Sequence, residues 1–482
     1  MERESGETTR ALLVDNEVPA GINGHGRNGG EAANSSSPST TAIVFFSTFV
    51  AISGQFSFGC ASAYTSPVES AIMEELGLST TDYSIFASIL SIGGMLGAII
   101  SGKVTDVFGR KWAMWLSDVF CIIGWLAILF AQDVWWLDIG RFSMGIGFGI
   151  LGYVTYIYVA EITPKNVRGG LSSANVMMLC CGTSLILVVG NIFSWRALTV
   201  FGILPSILQL VGLFFVPESP RWLAKVGKER ELEAALRRLR GDPADIHEEL
   251  VEIMDNTKIF EQLSKGRIFD LLDRRYAYSL FIGNGILLLR QLGGYYGILF
   301  YASSIFEAAG ASATVGTIAM AIIQIPFTIP SIVLVDKCGR RPLLMISAAG
   351  TAVSNIIAAL GFLLQELHHE GELASVLVLS GILLYNAAFA AGMNGTPWIL
   401  TSEIYPINIR GAAGSLGMFS NYLSAWIVSF IFNFVFEWTS SGIFFIFAAM
   451  CGLTVVFVAK LVPETKGRSL EEIQESLTRL RR

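Results

Sequence analysis

Apolar stretches of about twenty residues recur along the chain, separated by short polar segments, and about twenty residues is what an α-helix needs to cross a bilayer. They fall near 42–63, 83–102, 113–131, 135–160, 171–191 and 196–216. Six more fall near 277–301, 313–335, 342–364, 375–401, 411–436 and 440–461. Between the sets lies a charged, helix-prone segment, 217–276. The pattern predicts an all-α membrane protein of twelve transmembrane helices. Its expected parts are a disordered N-tail over 1–41, six helices over 42–216, a linker with short helices over 217–276, six helices over 277–461 and a C-tail over 462–482. The N-tail is Gly/Ser-rich and lacks the basic start and apolar core of a secretory signal. Leu12-Leu13 behind Glu7 resembles an imperfectly spaced acidic dileucine sorting signal, a match that chance also produces.

Charge fixes the expected orientation. Of the 33 Lys and Arg, all but Arg141, Arg196 and Arg290 fall in the tails, the linker, the connections after spans 2, 4, 8 and 10 or, for Lys460, just before the C-tail. The opposite connections carry acids, among them Glu69, Glu74, Glu75, Asp82 and Asp133. By the positive-inside rule both termini and the linker are cytosolic. Charged residues make up only 15% of the chain, too few for a nucleic-acid-binding or ordinary soluble domain. The six Cys lack CxxC spacing and read as small buried apolar residues. No His/Cys cluster, phosphate loop or nucleophile–base pair is visible. The sequence therefore predicts no metal, no cofactor and no enzyme. Gly147-Phe-Gly149-Ile-Leu-Gly152 matches GxGxxG but lies inside span 4, where close helix packing accounts for it. Asn34 and Asn394 sit in glycosylation patterns but on the cytosolic side and inside a span, so neither is expected to be modified.

The two sets of spans share motifs in one order. Asp106-Val-Phe-Gly-Arg110-Lys111 returns 230 residues later as Asp336-Lys-Cys-Gly-Arg340-Arg341. Glu161-Ile-Thr-Pro-Lys-Asn-Val-Arg168-Gly returns after 242 as Glu403-Ile-Tyr-Pro-Ile-Asn-Ile-Arg410-Gly. Pro217-Glu218-Ser-Pro-Arg221 returns after 246 as Pro463-Glu464-Thr-Lys-Gly-Arg. Matched motifs at near-equal offsets predict two six-helix pseudo-repeats in parallel, the major facilitator arrangement. The acids and arginines sit at cytosolic helix ends. There they can pair between helices and hold an inner gate shut, or simply satisfy helix dipoles and the positive-inside rule.

With these motifs in place, the chain after residue 40 resembles the sugar porter family of the major facilitator superfamily. It is most similar to the plant early-responsive-to-dehydration-like monosaccharide transporters. The resemblance implies a sugar site between the halves, a monosaccharide or polyol substrate, facilitated diffusion and residence in the vacuolar membrane. It matches Gln291 to the second of a family Gln pair and Trp398 and Asn421 to family positions, and it puts Gln324 where Asn is frequent. The chain departs from the family elsewhere. The span-5 Gln position is Val176, beside Asn175, and the first Gln of the span-7 pair is Arg290. The Gly-Ile-Asn that follows is Gly294-Tyr295-Tyr296, a span-10 Glu is Ala390, and a span-11 Trp is Tyr422. Arg290 is expected either to face the cavity, pairing with an anion or favouring acidic or more polar sugars, or to point to lipid headgroups or backbone carbonyls.

Proton-coupled sugar porters carry an Asp in span 1 where this chain has Ala61, while the span-4 partner of that Asp is retained as Arg141. Glu69 is read as lying past the end of span 1, and Asp118 as belonging to the gate network. An intramembrane proton relay needs a group that changes charge, and Arg does not. The expectation is a facilitator without proton coupling. A proton-coupled carrier and a non-transporting sugar sensor are the alternatives.

Overall fold

The computed structural model describes residues 41–164, 167–241, 246–263, 276–367, 372–406 and 409–466. The expected N-tail up to residue 40, with Leu12-Leu13 and Asn34, and the C-tail beyond residue 466 lie outside them, as do the side chains of Arg168, Asp336 and Arg410. The first half comprises α1 (Ala42–Leu76), α2 (Thr80–Phe108), α3 (Arg110–Leu129), α4 (Val134–Ile162), α5 (Arg168–Val189) and α6 (Trp195–Gly212). Three shorter helices follow: α7 (Pro220–Lys225), α8 (Glu229–Arg240) and α9 (His247–Leu263). The second half comprises α10 (Ala277–Leu292), α11 (Tyr295–Phe300), α12 (Ala302–Ala308), α13 (Ala313–Cys338), α14 (Arg340–Glu366), α15 (Glu372–Ala388), α16 (Thr396–Ile404), α17 (Arg410–Trp438) and α18 (Ser440–Leu461). Among the described residues there is no strand, and eleven segments are long and apolar enough to cross a membrane. The seventh expected span is filled by α10, α11 and α12 in succession. The fold is the twelve-helix major facilitator fold in two pseudo-repeats.

The interruption in the seventh span has a local cause. Gly294 has φ +98°, a conformation that only glycine adopts without strain, and a Cβ there would stand 2.4 Å from the Phe447 ring. The tenth span is broken differently. Phe389–Met393 forms a π-turn, closed by the Asn394 amide donating to the Phe389 carbonyl at 3.0 Å, and Pro397 follows in α16. Proline has no N–H, so the Met393 carbonyl loses the helical donor four residues on.

Two sequence expectations change. α1 extends to Leu76, so Glu69 lies inside the helix and is buried. The polar residues that seem to end span 1 (Ser62, Thr65, Ser66) are also buried, because this stretch of α1 packs against other helices rather than lipid. Asp118 is buried in α3 with Oδ2 unpartnered, and among the described residues it makes no ion pair with the charged motifs. Gly145 and Gly149 of α4 press against the backbone of α2, and Gly147 against that of α3, which is the close packing expected of the GxGxxG match.

The halves meet through α2 with α17, α5 with α13, and α1 with α11 and α12. For orientation, the basic end of the bundle is the one bearing the motif loops and α7–α9. The cross-half polar contacts concentrate toward the opposite end. There the Ser66 and Ser303 hydroxyls lie 3.0 Å apart, and Ser304 donates to the Glu69 carboxylate. Asn433 donates to Ser84 at 3.3 Å and Asn191 to Thr317 at 3.0 Å. Halfway along, Tyr422 reaches the Phe148 carbonyl at 3.5 Å, and Asn394 and Thr328 meet Cys180. Among the described residues, none of these bonds crosses between the halves nearer the basic end. Cβ atoms at Gly169, Gly170, Gly411 and Gly414 would meet nothing within 4 Å.

Candidate substrate cavity and charge clusters

A cavity lies midway along the bundle between the halves. From the first half it is lined by Gln55, Phe58 and Ser62 of α1, Tyr156 of α4 and Val176 of α5. From the second half come Arg290, Tyr295, Tyr296, Asn394, Trp398 and Asn421. Aromatic rings beside amides and hydroxyls suit a small polyhydroxylated ring, whose apolar face stacks and whose hydroxyls accept and donate.

Of the residues singled out from sequence, Arg290, Tyr296, Trp398 and Asn421 line this cavity, and so do Val176 and Tyr422 at positions where the family pattern is broken. Gln291, Gln324 and Asn175 do not line it. Gln291 is fully buried behind the lining and donates to the Asn421 carbonyl oxygen at 2.8 Å, so it orients a lining residue. Asn175 donates to the Ser172 carbonyl at 2.9 Å within its own helix. Gln55, Ser62, Tyr156, Tyr295 and Asn394 were not anticipated as cavity residues. The available signal was weak: an isolated amide in an apolar run shows its polarity but not which neighbour it faces.

Arg290 is buried, lines the cavity and also donates to a backbone carbonyl. Its Nε donates to the Met393 carbonyl, at 2.8 Å, that Pro397 leaves without a helical donor. Nη1 and Nη2 reach Asn421 Oδ1 at 3.2 Å and Asn394 Oδ1 at 3.4 Å. Phe389, Tyr295 and Trp398 surround the guanidinium with ring centroids 5.1, 5.7 and 5.9 Å away, within cation–π range. Among the described residues it makes no ion pair. Arg141 is the other deeply buried guanidinium. It is fully enclosed, donates through Nη1 to the Ala61 carbonyl at 2.7 Å, lies near the Tyr64 and Phe86 rings, and leaves Nε and Nη2 unpartnered.

The repeated motifs build two matching charge clusters at the basic end. In the first half Arg110 pairs with Glu161 through Nε at 2.8 Å and Nη2 at 2.9 Å. Glu218 accepts from the Arg110 and Lys111 amides at the start of α3, and Ser219 donates to Glu161 at 2.5 Å. Asp106 contacts Arg110 at 3.7 Å and Lys225 at 3.0 Å. In the second half Arg340 pairs with Glu403 at 3.0 Å, Glu464 accepts from the Arg340 and Arg341 amides, and Thr465 donates to Glu403 at 2.6 Å. In each cluster an acid sits on the N-terminus of a helix, where free amides and the helix dipole favour negative charge. Burial raises the Glu218 carboxyl above its ordinary value, against the pull of those amides and of Arg110. Gly109 and Gly339 have φ of +94° and +96°, and a Cβ on either would crowd the Glu218 or Glu464 carboxylate. Arg221 is exposed and joins none of these described contacts. The described pairs join elements of one half or, through Lys225, the first half to the start of the linker; none joins the two halves.

The family model described as "Sugar (and other) transporter" matches residues 42–477. The chain belongs to the sugar transporter family. Two similar members are the Arabidopsis thaliana proteins named Sugar transporter ESL1 and Sugar transporter ERD6-like 16. Each is 47% identical to this chain over 91% of its length, covering 93% and 91% of the relative. Among solved structures, the chain is similar to the major facilitator proton:xylose symporter XylE bound to 6-bromo-6-deoxy-D-glucose, with TM-score 0.75, 26% identity and coverage of 91% of this chain and 100% of that one. It is also similar to the inward-open conformation of the E. coli xylose transporter XylE, with TM-score 0.76, 26% identity and coverage of 90% and 99%. This sugar transporter is thus a multi-pass integral membrane protein, and no enzyme family is indicated for it.

Proposed function

We propose that this family member is a facilitative carrier of a monosaccharide or related polyol, working by alternating access without proton coupling. Its substrate binds in the central cavity against Gln55, Trp398, Asn421 and Tyr296, with Gln291, Gln324 and Asn175 supporting the wall. The basic end is cytosolic and the described conformation is the one open to it. The vacuolar membrane is the favoured location, on resemblance to the plant subgroup. The two charge clusters brace each half as a rigid body. Sealing the cytosolic end falls to the loops that carry Arg168 and Arg410.

The observation that carries the uncoupled reading is Arg141 on the carbonyl of Ala61. The α1 position facing this guanidinium holds a methyl group, so no carboxylate can take up and release a proton there. The test is uptake into proteoliposomes with and without an imposed pH gradient. Equilibration without accumulation, unaffected by an uncoupler, is expected. Concentrative uptake abolished by the uncoupler overturns the reading.

One observation favours the proton-coupled alternative. Glu69 is a buried carboxyl of α1, bonded across the halves to Ser304, and it makes no ion pair among the described residues. If uptake proves concentrative, Glu69→Gln removes the accumulation while leaving exchange.

A further inference from the structure

Arg290 places one permanent positive charge in the wall of the cavity, since guanidinium keeps its proton in proteins. Among the described residues, no Asp or Glu lines that cavity. The guanidinium's acceptors are all neutral, and its two contacts to Asn421 and Asn394 are 3.2 and 3.4 Å long. Charge-assisted N–H···O⁻ bonds are about 2.7–2.9 Å, so these are loose placeholders that a better acceptor can displace. Three of its five N–H groups are engaged, and both Nη atoms keep a second one. A few ångströms of rearrangement at Asn421 or Asn394 would present both Nη groups to one planar anion. Arg141 is the useful contrast: it too lacks a carboxylate, but it lies off the cavity, where no substrate can reach it.

The rest of the lining is neutral. Gln55 is buried with Nε2 unpartnered, a donor waiting for an acceptor, while Trp398, Tyr295 and Phe58 offer faces for a ring. We infer that the preferred substrate of this cavity is a monosaccharide bearing a single carboxylate, a uronate or aldonate, whose carboxylate sits on Arg290 and whose hydroxyls meet Gln55 and the asparagines. The inference rests on the cavity being the substrate site of the carrier proposed above. A single cation matches a monoanion; a phosphomonoester, near two negative charges at neutral pH, would be left half-compensated.

The test uses the purified full-length chain in liposomes, with exchange of labelled D-glucuronate and D-glucose measured at equal subsaturating concentrations. Thermal stabilisation in detergent by glucuronate, its uncharged methyl ester and glucose 6-phosphate is measured alongside. Wild type is expected to exchange glucuronate about tenfold faster than glucose, the effect of one charge-assisted contact. It should be stabilised by glucuronate and not by the methyl ester. Arg290→Gln should reverse the exchange preference, and Arg290→Lys should keep a weaker one. Should a variant fail to fold, the acid-versus-ester comparison on wild type still decides. Equal stabilisation by acid and ester, or glucose exchange matching glucuronate in wild type with no change in Arg290→Gln, overturns the carboxylate assignment and leaves the sugar-carrier reading standing. Stronger stabilisation by glucose 6-phosphate also overturns it, in favour of a phosphorylated sugar. Exchange of neither sugar by wild type or Arg290→Gln sinks the carrier reading itself.

Discussion

Ser66, Glu69 and Ser84 reach across to Ser303, Ser304 and Asn433 at one end of the bundle, whereas Arg110 and Arg340 at the other end pair within their own halves. The chemistry differs with the task. The cross-half contacts are mostly neutral hydroxyls and amides, each worth about 0.5–1.5 kcal/mol net, so the set can open and reclose. The within-half clusters use ion pairs, bidentate and buried for Arg110 with Glu161 and more exposed for Arg340 with Glu403, whose rupture leaves a charge unpaired, so they suit contacts that persist through the cycle. The charged motifs, which dominate the sequence, therefore read as the frame, and the inconspicuous serines and asparagines as the moving seal.

The sharpest way to break this contrast is to freeze the seal. Ser66→Cys with Ser303→Cys, oxidised to a disulfide, should abolish transport, and reduction should restore it. Full flux with the cross-link verified would mean this end does not open. Next in size is the frame. Arg110→Ala leaves Glu161 buried without its partner and should cost about 3–5 kcal/mol, read as a large loss in thermal stability. Arg340→Ala should cost less, because the Glu403 side chain is 25% exposed against 11% for Glu161. Equal losses would remove the asymmetry. The combined change Arg168→Ala and Arg410→Ala should lower flux while expression survives, with increased labelling of cysteines placed near the basic end. Unchanged flux and labelling would take these arginines out of the gate. Smallest is Asn433→Ala, which deletes one seal contact. A shift of about 0.5–1.5 kcal/mol corresponds to a change of roughly 2–10-fold in the balance between the two access states. Accessibility probes at the acidic end read it directly, and no change there would make Asn433 a bystander.

Much of this architecture is legible in the residues alone. Twelve apolar runs, with Lys and Arg on one set of connections, give the helix count, and the paired motifs give the repeat. What stays hidden follows from packing. Span 1 seems to end at its serines because apolarity reports contact with lipid, and this stretch contacts protein. That error also moved Glu69 out of the helix. Gly294 reads as part of a site motif, yet its backbone breaks the seventh span. In the cavity, Trp398 and Asn421 are visible because they match a family pattern, and Arg290 because it departs from one. Gln55 and Asn394 are not, since facing is decided by helices more than a hundred residues apart. Gln291 shows the converse: its position is right, but its side chain serves Asn421.

The guanidinium of Arg290 travels with the protein whichever side the cavity faces, which gives the carrier an electrical signature. An empty cavity holds one net positive charge, and a cavity occupied by a monoanion holds none. One elementary charge crossing the whole membrane field is worth about 2.3 kcal/mol per 100 mV, and a charge at mid-depth in a cavity open to one side senses only part of that. Membrane potential should therefore bias the return of the empty carrier and leave the loaded crossing nearly indifferent. The resting orientation of the protein would then follow the voltage of the membrane that holds it, a dependence that Arg290→Gln would erase.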